Sequence, residues 1–112
     1  MTAGMKGKAE TVVTEKNTAK AMGSGTLDVF ATPAMVALME EAAWKCFAPE
    51  LEPGMGTVGT LMNVQHTSAT PLSMHVTAEC ELTEVDNRHL VFTVKAFDEV
   101  GPIGSGTHER FI

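Results

Sequence analysis

Tyrosine is absent from this chain, Trp44 is its one tryptophan, and aromatic residues make up only 5% of it. Platforms on which single-stranded bases could stack are therefore missing. Basic residues are scarce as well, 8 against 14 acids, for a formal net charge of -6. They form no block or stripe, which argues against nucleic acid or an anionic membrane as partner. A local Lys or Arg could still meet a small anionic ligand. No apolar run approaches the ~20 residues that cross a bilayer, and the first thirty residues hold no apolar core of a signal peptide. Cys46 and Cys80 are the only cysteines, and neither belongs to a CxxC or CxxH pattern. They are expected as buried free thiols in a reducing compartment, which makes the cytoplasm the expected location. No two histidines have i,i+4 helical spacing, so no metal site is expected.

What is present is ordinary globular material: 112 residues, 44% hydrophobic and 20% charged. That length suits a single domain spanning residues 1–112, with one core and no internal repeat. Lys6 to Glu15 reads as a strand ending in β-branched Thr11, Val12, Val13 and Thr14. Asn17 to Asp28, rich in Gly, Ala, Ser and Thr, reads as a mobile covering loop. Thr32-Pro33 is a helix start, with Thr32 as the expected N-cap and proline at the first helical position. At 100° per residue, Met35, Val36, Met39, Ala42, Ala43, Cys46 and Phe47 share a broad apolar face, with Glu41 and Lys45 roughly opposite. Ala48-Pro49 closes the helix and Pro53-Gly54 turns the chain.

Strands follow. Val58, Thr60, Met62, Val64 and His66 share a face between Thr57 and Thr67. Between Met74 and Thr83, Met74, Val76, Ala78, Cys80 and Leu82 alternate with polar residues. Asp86-Asn87 turns into Leu90–Asp98, with Leu90, Phe92, Val94 and Ala96 on one side, and Gly101-Pro102 turns into Ile103–Ile112. One helix of about fifteen residues cannot cover both faces of five strands. The expected class is therefore α+β, a curved antiparallel five-stranded sheet wrapped around one long central helix, the hotdog arrangement. Pairing with a second copy would manage its exposed edges, so a homodimer is expected, with assembly to a tetramer left open.

Three side chains stand out chemically, each with a plainer reading beside it. Glu40 lies at the border of the apolar helix face, where a carboxylate is costly unless paired; it could equally extend its head to water. His66 shares a face with Val58, Met62 and Val64, and could be a satisfied core histidine or a proton carrier. His75 and His89 read as surface residues. Thr32 could do no more than cap, or could set a hydroxyl among the free N–H groups at the positive helix end. Thr32 and Glu40 are eight residues apart, about 12 Å along the axis, and cannot touch directly. Gly59 marks a bulge or a close backbone approach. Gly104-Ser105-Gly106 lacks the following helix of a phosphate loop and suits close packing. The eight methionines are adaptable core filler first.

The segments VFATPAMVALME (29–40), LEPG (51–54), Gly59-Thr60, HTSATP (66–71) and GSGTHER (104–110) resemble, in order, the hotdog-fold fluoroacetyl-coenzyme A thioesterase family. The resemblance spans roughly Val29 to Arg110. It implies a catalytic set of Thr32, Glu40 and His66, with Gly59 lining the acyl site and Phe30 and Arg110 on the substrate. It also implies hydrolysis of an acyl-CoA at a dimer-interface cleft, Glu40 serving as nucleophile or base, with no cofactor beyond the coenzyme A of the substrate. That family carries a hydrophobic lid ahead of the helix, whereas Thr14 to Asp28 is short and lacks aromatics, which points to short-chain acyl-CoA in general. A hotdog hydratase or dehydratase, and a non-catalytic module that binds acyl-CoA or another small ligand, are the rival readings.

Overall fold

A computed structural model describes residues 3–112. Its strands are β1 (Lys6–Val12), β2 (Val58–His66), β3 (His75–Asp86), β4 (His89–Asp98) and β5 (Pro102–Phe111). Its helices are α1 (Ala19–Met22) and α2 (Thr32–Phe47), the latter running into a 3-10 turn at Ala48–Glu50. All five strands form one antiparallel sheet in the order β1-β3-β4-β5-β2. The sheet curves around α2, which is the hotdog arrangement expected.

The alternation of β3 and β4 builds most of the floor. Val76, Ala78, Cys80 and Leu82 on β3, and Leu90, Phe92, Val94 and Ala96 on β4, are all buried against the helix. Fully burying a side chain of the Leu or Phe class is worth roughly 1.5–3 kcal/mol, so this double row carries much of the stability. The hairpin between them turns at Asn87, whose φ of 56° is the left-handed conformation that asparagine tolerates. On α2 the buried stripe is Met35, Leu38, Met39, Ala42, Ala43, Cys46 and Phe47. Leu38 thus joins the expected face, and Val36 is only half-buried. The helix approaches β1 closely: a Cβ on Gly7 would lie 2.5 Å from the Ala42 carbonyl oxygen. Cys46 and Cys80 are buried free thiols, as expected. Burial together with the neighbouring Cys46 pushes the Cys80 thiol up to about 12, so it is unreactive.

Three local expectations need correction. β1 ends at Val12 rather than Glu15, because Asn17 folds the chain back: its Oδ1 accepts from the Thr14 N–H at 2.8 Å. The stretch after Asn17 is not all loop. One turn of helix, α1, forms there, capped by Thr18, whose Oγ1 accepts from Ala21 N–H at 3.1 Å, and by Gly23 at φ 73°. Both caps are ordinary helix signals, visible in the sequence but attached to a very short element. Thr32 does not cap α2. Ala31 occupies that position and makes no side-chain cap bond, while Thr32 and Pro33 are the first two helical residues.

Among the described residues β2 pairs only with β5, which leaves one of its edges free, and the register slips between Gly59 and Leu61. Val58 and Leu61 on this edge strand are 65% and 43% exposed, unusual for large apolar side chains. The Gly104 and Gly106 positions are tight: a Cβ on Gly104 would meet Met35 and the Gln65 carbonyl at 2.7 Å, and one on Gly106 would overlap the Asn63 carbonyl. The glycine pair therefore serves close packing against α2 and β2, as anticipated. Among the described residues, no helix is long and apolar enough to cross a membrane.

Candidate active site

The first helical turn of α2 and the last residue of β2 meet. Thr32 Oγ1 lies 2.7 Å from His66 Nδ1. Because Ala31 takes the capping position, the threonine hydroxyl is free to point outward to the imidazole. It does so beside the unpaired N–H groups at the positive end of the helix dipole. Burial holds His66 below the ordinary imidazole range, an effect partly offset by the Ser68 backbone. A neutral imidazole accepts a proton where a charged one cannot. Its second nitrogen, Nε2, is the one buried side-chain N or O without a hydrogen-bond partner among the described residues. Such atoms are rare in folded proteins and concentrate at sites of chemistry.

Beside this pair lies a cavity of about 260 Å³ whose lining includes Phe30, Thr32, His66, Ser68 and Ala69. Phe30, named from the sequence as a substrate contact, is 1% exposed and forms one wall. The α1 turn closes another side through Ala19. A larger hollow of about 550 Å³ opens elsewhere, between charged β1, β3 and β4 side chains such as Lys6, Lys8, Glu79 and Lys95. It contains none of the residues singled out for chemistry. A charged, shallow outer sheet face suits solvent better than a thioester.

Glu40 is held two turns further along α2, in a second cluster. Its Oε2 is 3.4 Å from Arg110 Nη1, and a Cβ on Gly59 would stand 2.7 Å from the same oxygen. Both readings of Gly59 are thus realised: a register slip occurs there, and a side chain approaches its backbone. Arg110 is 6% exposed, a deeply placed cation. Its Nε donates to Thr57 Oγ1 at 2.8 Å, Nη2 to the Thr57 carbonyl at 3.0 Å, and Nη1 to His108 Nε2 at 3.1 Å. Burial lowers the guanidinium from its ordinary value and Glu40 opposes that shift, leaving it charged. Glu40 remains half-buried, with 41% of its side chain exposed. It is a carboxylate at the border of the apolar face that is both paired and partly open to water.

A single protomer therefore joins Thr32 to His66 and Glu40 to Gly59 and Arg110, but it does not bring the two groups together. His75 is exposed, as expected. His89 is half-buried and tied to Glu109 at 2.5 Å, rather than simply solvated. His108, to which the sequence assigns no role, is 1% exposed. Its signal lay in period 2: Gly106, His108 and Arg110 share one face of β5, and that face turns inward. Among the described residues no three His, Cys, Asp or Glu side chains converge as metal ligands would.

An antiparallel sheet curved around one helix, with its polar groups at the two ends of β2, defines the hotdog class. A hot-dog-like protein from Thermanaerovibrio acidaminovorans shares the fold at a TM-score of 0.86, with 24% identity over 97% of this chain and 81% of that one. The family model for fluoroacetyl-CoA-specific thioesterase matches residues 13–112, and the chain belongs to that family. The fluoroacetyl-CoA thioesterase of Streptantibioticus cattleyicolor is 52% identical over 85 residues, 76% of this chain and 61% of that protein. The chain thus spans about three fifths of the length of this curated relative. A fluoroacetyl-CoA-specific thioesterase variant solved with fluoroacetate and CoA superposes at a TM-score of 0.93, with 42% identity over 99% of this chain and 94% of the other.

Proposed function

We propose that this protein hydrolyses short-chain acyl-CoA thioesters, at a cleft completed by two copies of the chain. The observation that carries this reading is the 2.7 Å contact between Thr32 Oγ1 and His66 Nδ1 at the helix N-terminus. A hydroxyl bonded to a neutral imidazole is the signature of an activated nucleophile. His66 takes the hydroxyl proton as Thr32 Oγ1 bonds to the thioester carbonyl carbon. The carbon–sulfur bond then breaks, and the imidazolium returns the proton to the departing coenzyme A sulfur. Water, deprotonated by His66, attacks the acyl-threonine carbonyl, and the proton passes back to Thr32 as the acid leaves. Free N–H groups of the first α2 turn are placed to accept the negative charge on the carbonyl oxygen.

Glu40 enters through the second copy. The free edge of β2, with exposed Val58 and Leu61, suits antiparallel pairing with the same strand of a partner. A two-fold axis near Met62, the middle of the strand, sets His66 beside the partner's Val58 and Gly59. The partner's Glu40 and Arg110 then form the facing wall, where a carboxylate stabilises the imidazolium that arises in each half-reaction. The resemblance implies a nucleophile or base at Glu40, from which this stabilising role differs. The homodimer is thus part of the site, and the buried free cysteines suit a reducing cytoplasm. One protomer contributes a cavity of about 260 Å³ to that cleft.

The test is release of free coenzyme A from a panel of acyl-CoA chains, followed with a thiol reagent. Turnover of acetyl- to butyryl-CoA that fades with chain length is expected. Tight acyl-CoA binding without thiol release would leave a binding module instead, and hydration of an enoyl thioester would place the protein among the hydratases. Mixing Thr32→Ala and Glu40→Gln protomers should restore partial activity if the two residues act across the interface.

A further inference from the structure

The second cluster contains a histidine whose chemistry is unusually well determined by its neighbours. His108 Nδ1 lies 2.8 Å from the Leu61 carbonyl oxygen, which can only accept, so Nδ1 carries the proton. The register slip between Gly59 and Leu61 is adjacent to that carbonyl. Nε2 of the same ring lies 3.1 Å from Arg110 Nη1, which can only donate. Both nitrogens are thereby committed, and the ring is neutral. Phe92 stacks against it, with centroids 6.2 Å apart and planes at 28°. The imidazole lies 3.2 Å from the position of a Gly59 Cβ, so it and Glu40 share the space that the missing side chain leaves.

We propose that His108 is a positioning residue: it fixes the Nη1 edge of Arg110, and so sets where Glu40 stands against Gly59. Thr57 holds the opposite edge of the guanidinium through its hydroxyl and its carbonyl. Without the His108 acceptor, Nη1 is left with one contact of 3.4 Å, and the planar group can swing about the Thr57 edge. Misplacing a catalytic group by about 1 Å can cost as much as 100-fold in rate. His108 itself transfers no proton, since both of its nitrogens are already engaged.

Two substitutions separate the two ends of the ring. In His108→Gln the amide oxygen reaches the place of Nε2 and can accept from Arg110. In His108→Asn the shorter amide reaches the place of Nδ1 and can serve Leu61 but not Arg110. The consequence for rate rests on the hydrolase reading above. With wild-type activity in hand, His108→Gln should keep kcat within about threefold, and His108→Asn should lose about tenfold in kcat with less change in KM. Equal activity of the two variants, or a loss in KM alone, overturns the proposal. Nitrogen-15 NMR of the wild-type imidazole provides a readout independent of turnover and of whether the variants fold. The Nδ1–H tautomer should be the populated form at about pH 7 to 8, and the Nε2 resonance should shift in Arg110→Met. An Nε2–H tautomer, or an Nε2 resonance indifferent to Arg110→Met, refutes the arrangement. Were no acyl-CoA hydrolysed, the function would fail, while these resonances would still decide whether His108 holds Arg110.

Discussion

The two ends of β2 are built on opposite principles. At the His66 end, Thr32 is exposed, the imidazole is half-buried, and one of its nitrogens has no partner among the described residues. At the Gly59 end, Arg110 and His108 are buried, and a closed set of hydrogen bonds joins them to Thr57, Leu61 and Glu40. A group that must form and break bonds cannot be saturated by its own chain, whereas a group that must stay in place gains from saturation. On the function proposed above, the first end is the reactive one, and the second a rigid wall that presents a carboxylate.

That contrast can be broken most sharply at the reactive end. Replacing His66 or Thr32 by alanine should reduce kcat by about 10²–10⁴-fold, with thermal unfolding nearly unchanged. A fall in melting temperature comparable to that of a core substitution would instead make the pair structural. The rigid end should answer the other way. Arg110→Met leaves the Thr57 carbonyl, His108 Nε2 and Glu40 without their donor, which should cost roughly 2–3 kcal/mol of stability in urea unfolding. Between these lies Gly59→Ala. Its methyl would meet Glu40 Oε2 at 2.7 Å and the buried His108 ring at 3.2 Å, so the flexible carboxylate moves most and the ring yields by a few tenths of an ångström. Turnover should drop about tenfold with little loss of stability, and a variant as active as wild type would separate Glu40 from the chemistry.

The smallest effect distinguishes the ends by pH. Burial holds both His66 and His108 below the ordinary value of 6.5, so each stays neutral in the native state where an unfolded histidine is already protonated. Below that pH the unfolded chain binds more protons, and stability falls as pH drops until the native rings also protonate. Above 6.5 the contribution is absent. Each ring can add a slope of up to about 1.4 kcal/mol per pH unit. His108→Gln should flatten the acid slope of stability without moving the acid limb of kcat/KM, whose midpoint should lie below 6.5 and belong to His66. An unchanged stability slope in His108→Gln would show that the ring titrates freely.

Periodicity carried the fold a long way. Alternation over β3 and β4 and the 3.6-residue stripe of α2 are burial patterns written one residue at a time, and both were legible from Val76 to Ala96 and from Met35 to Phe47. What local pattern leaves open is which distant partner a side chain meets. Thr32 reads as a cap because threonine before a proline usually is one, and only the position of His66, 34 residues later, gives the hydroxyl a different partner. His108 lacks any local signature except its parity with Arg110. The short α1 turn had both of its caps in plain view, yet four residues make too little periodicity to see.

The order of its residues was enough to specify one helix, five alternating strands, an acidic surface and the identity of the polar groups available for chemistry, since each follows from contacts with near neighbours and with water. Folding in three dimensions settled which of those polar groups meet. Hydrogen bonds between side chains 34 to 70 residues apart depend on strand register, on the slip after Gly59 and on how closely α2 approaches the sheet. No local pattern encodes such distances, because they are properties of the packed whole.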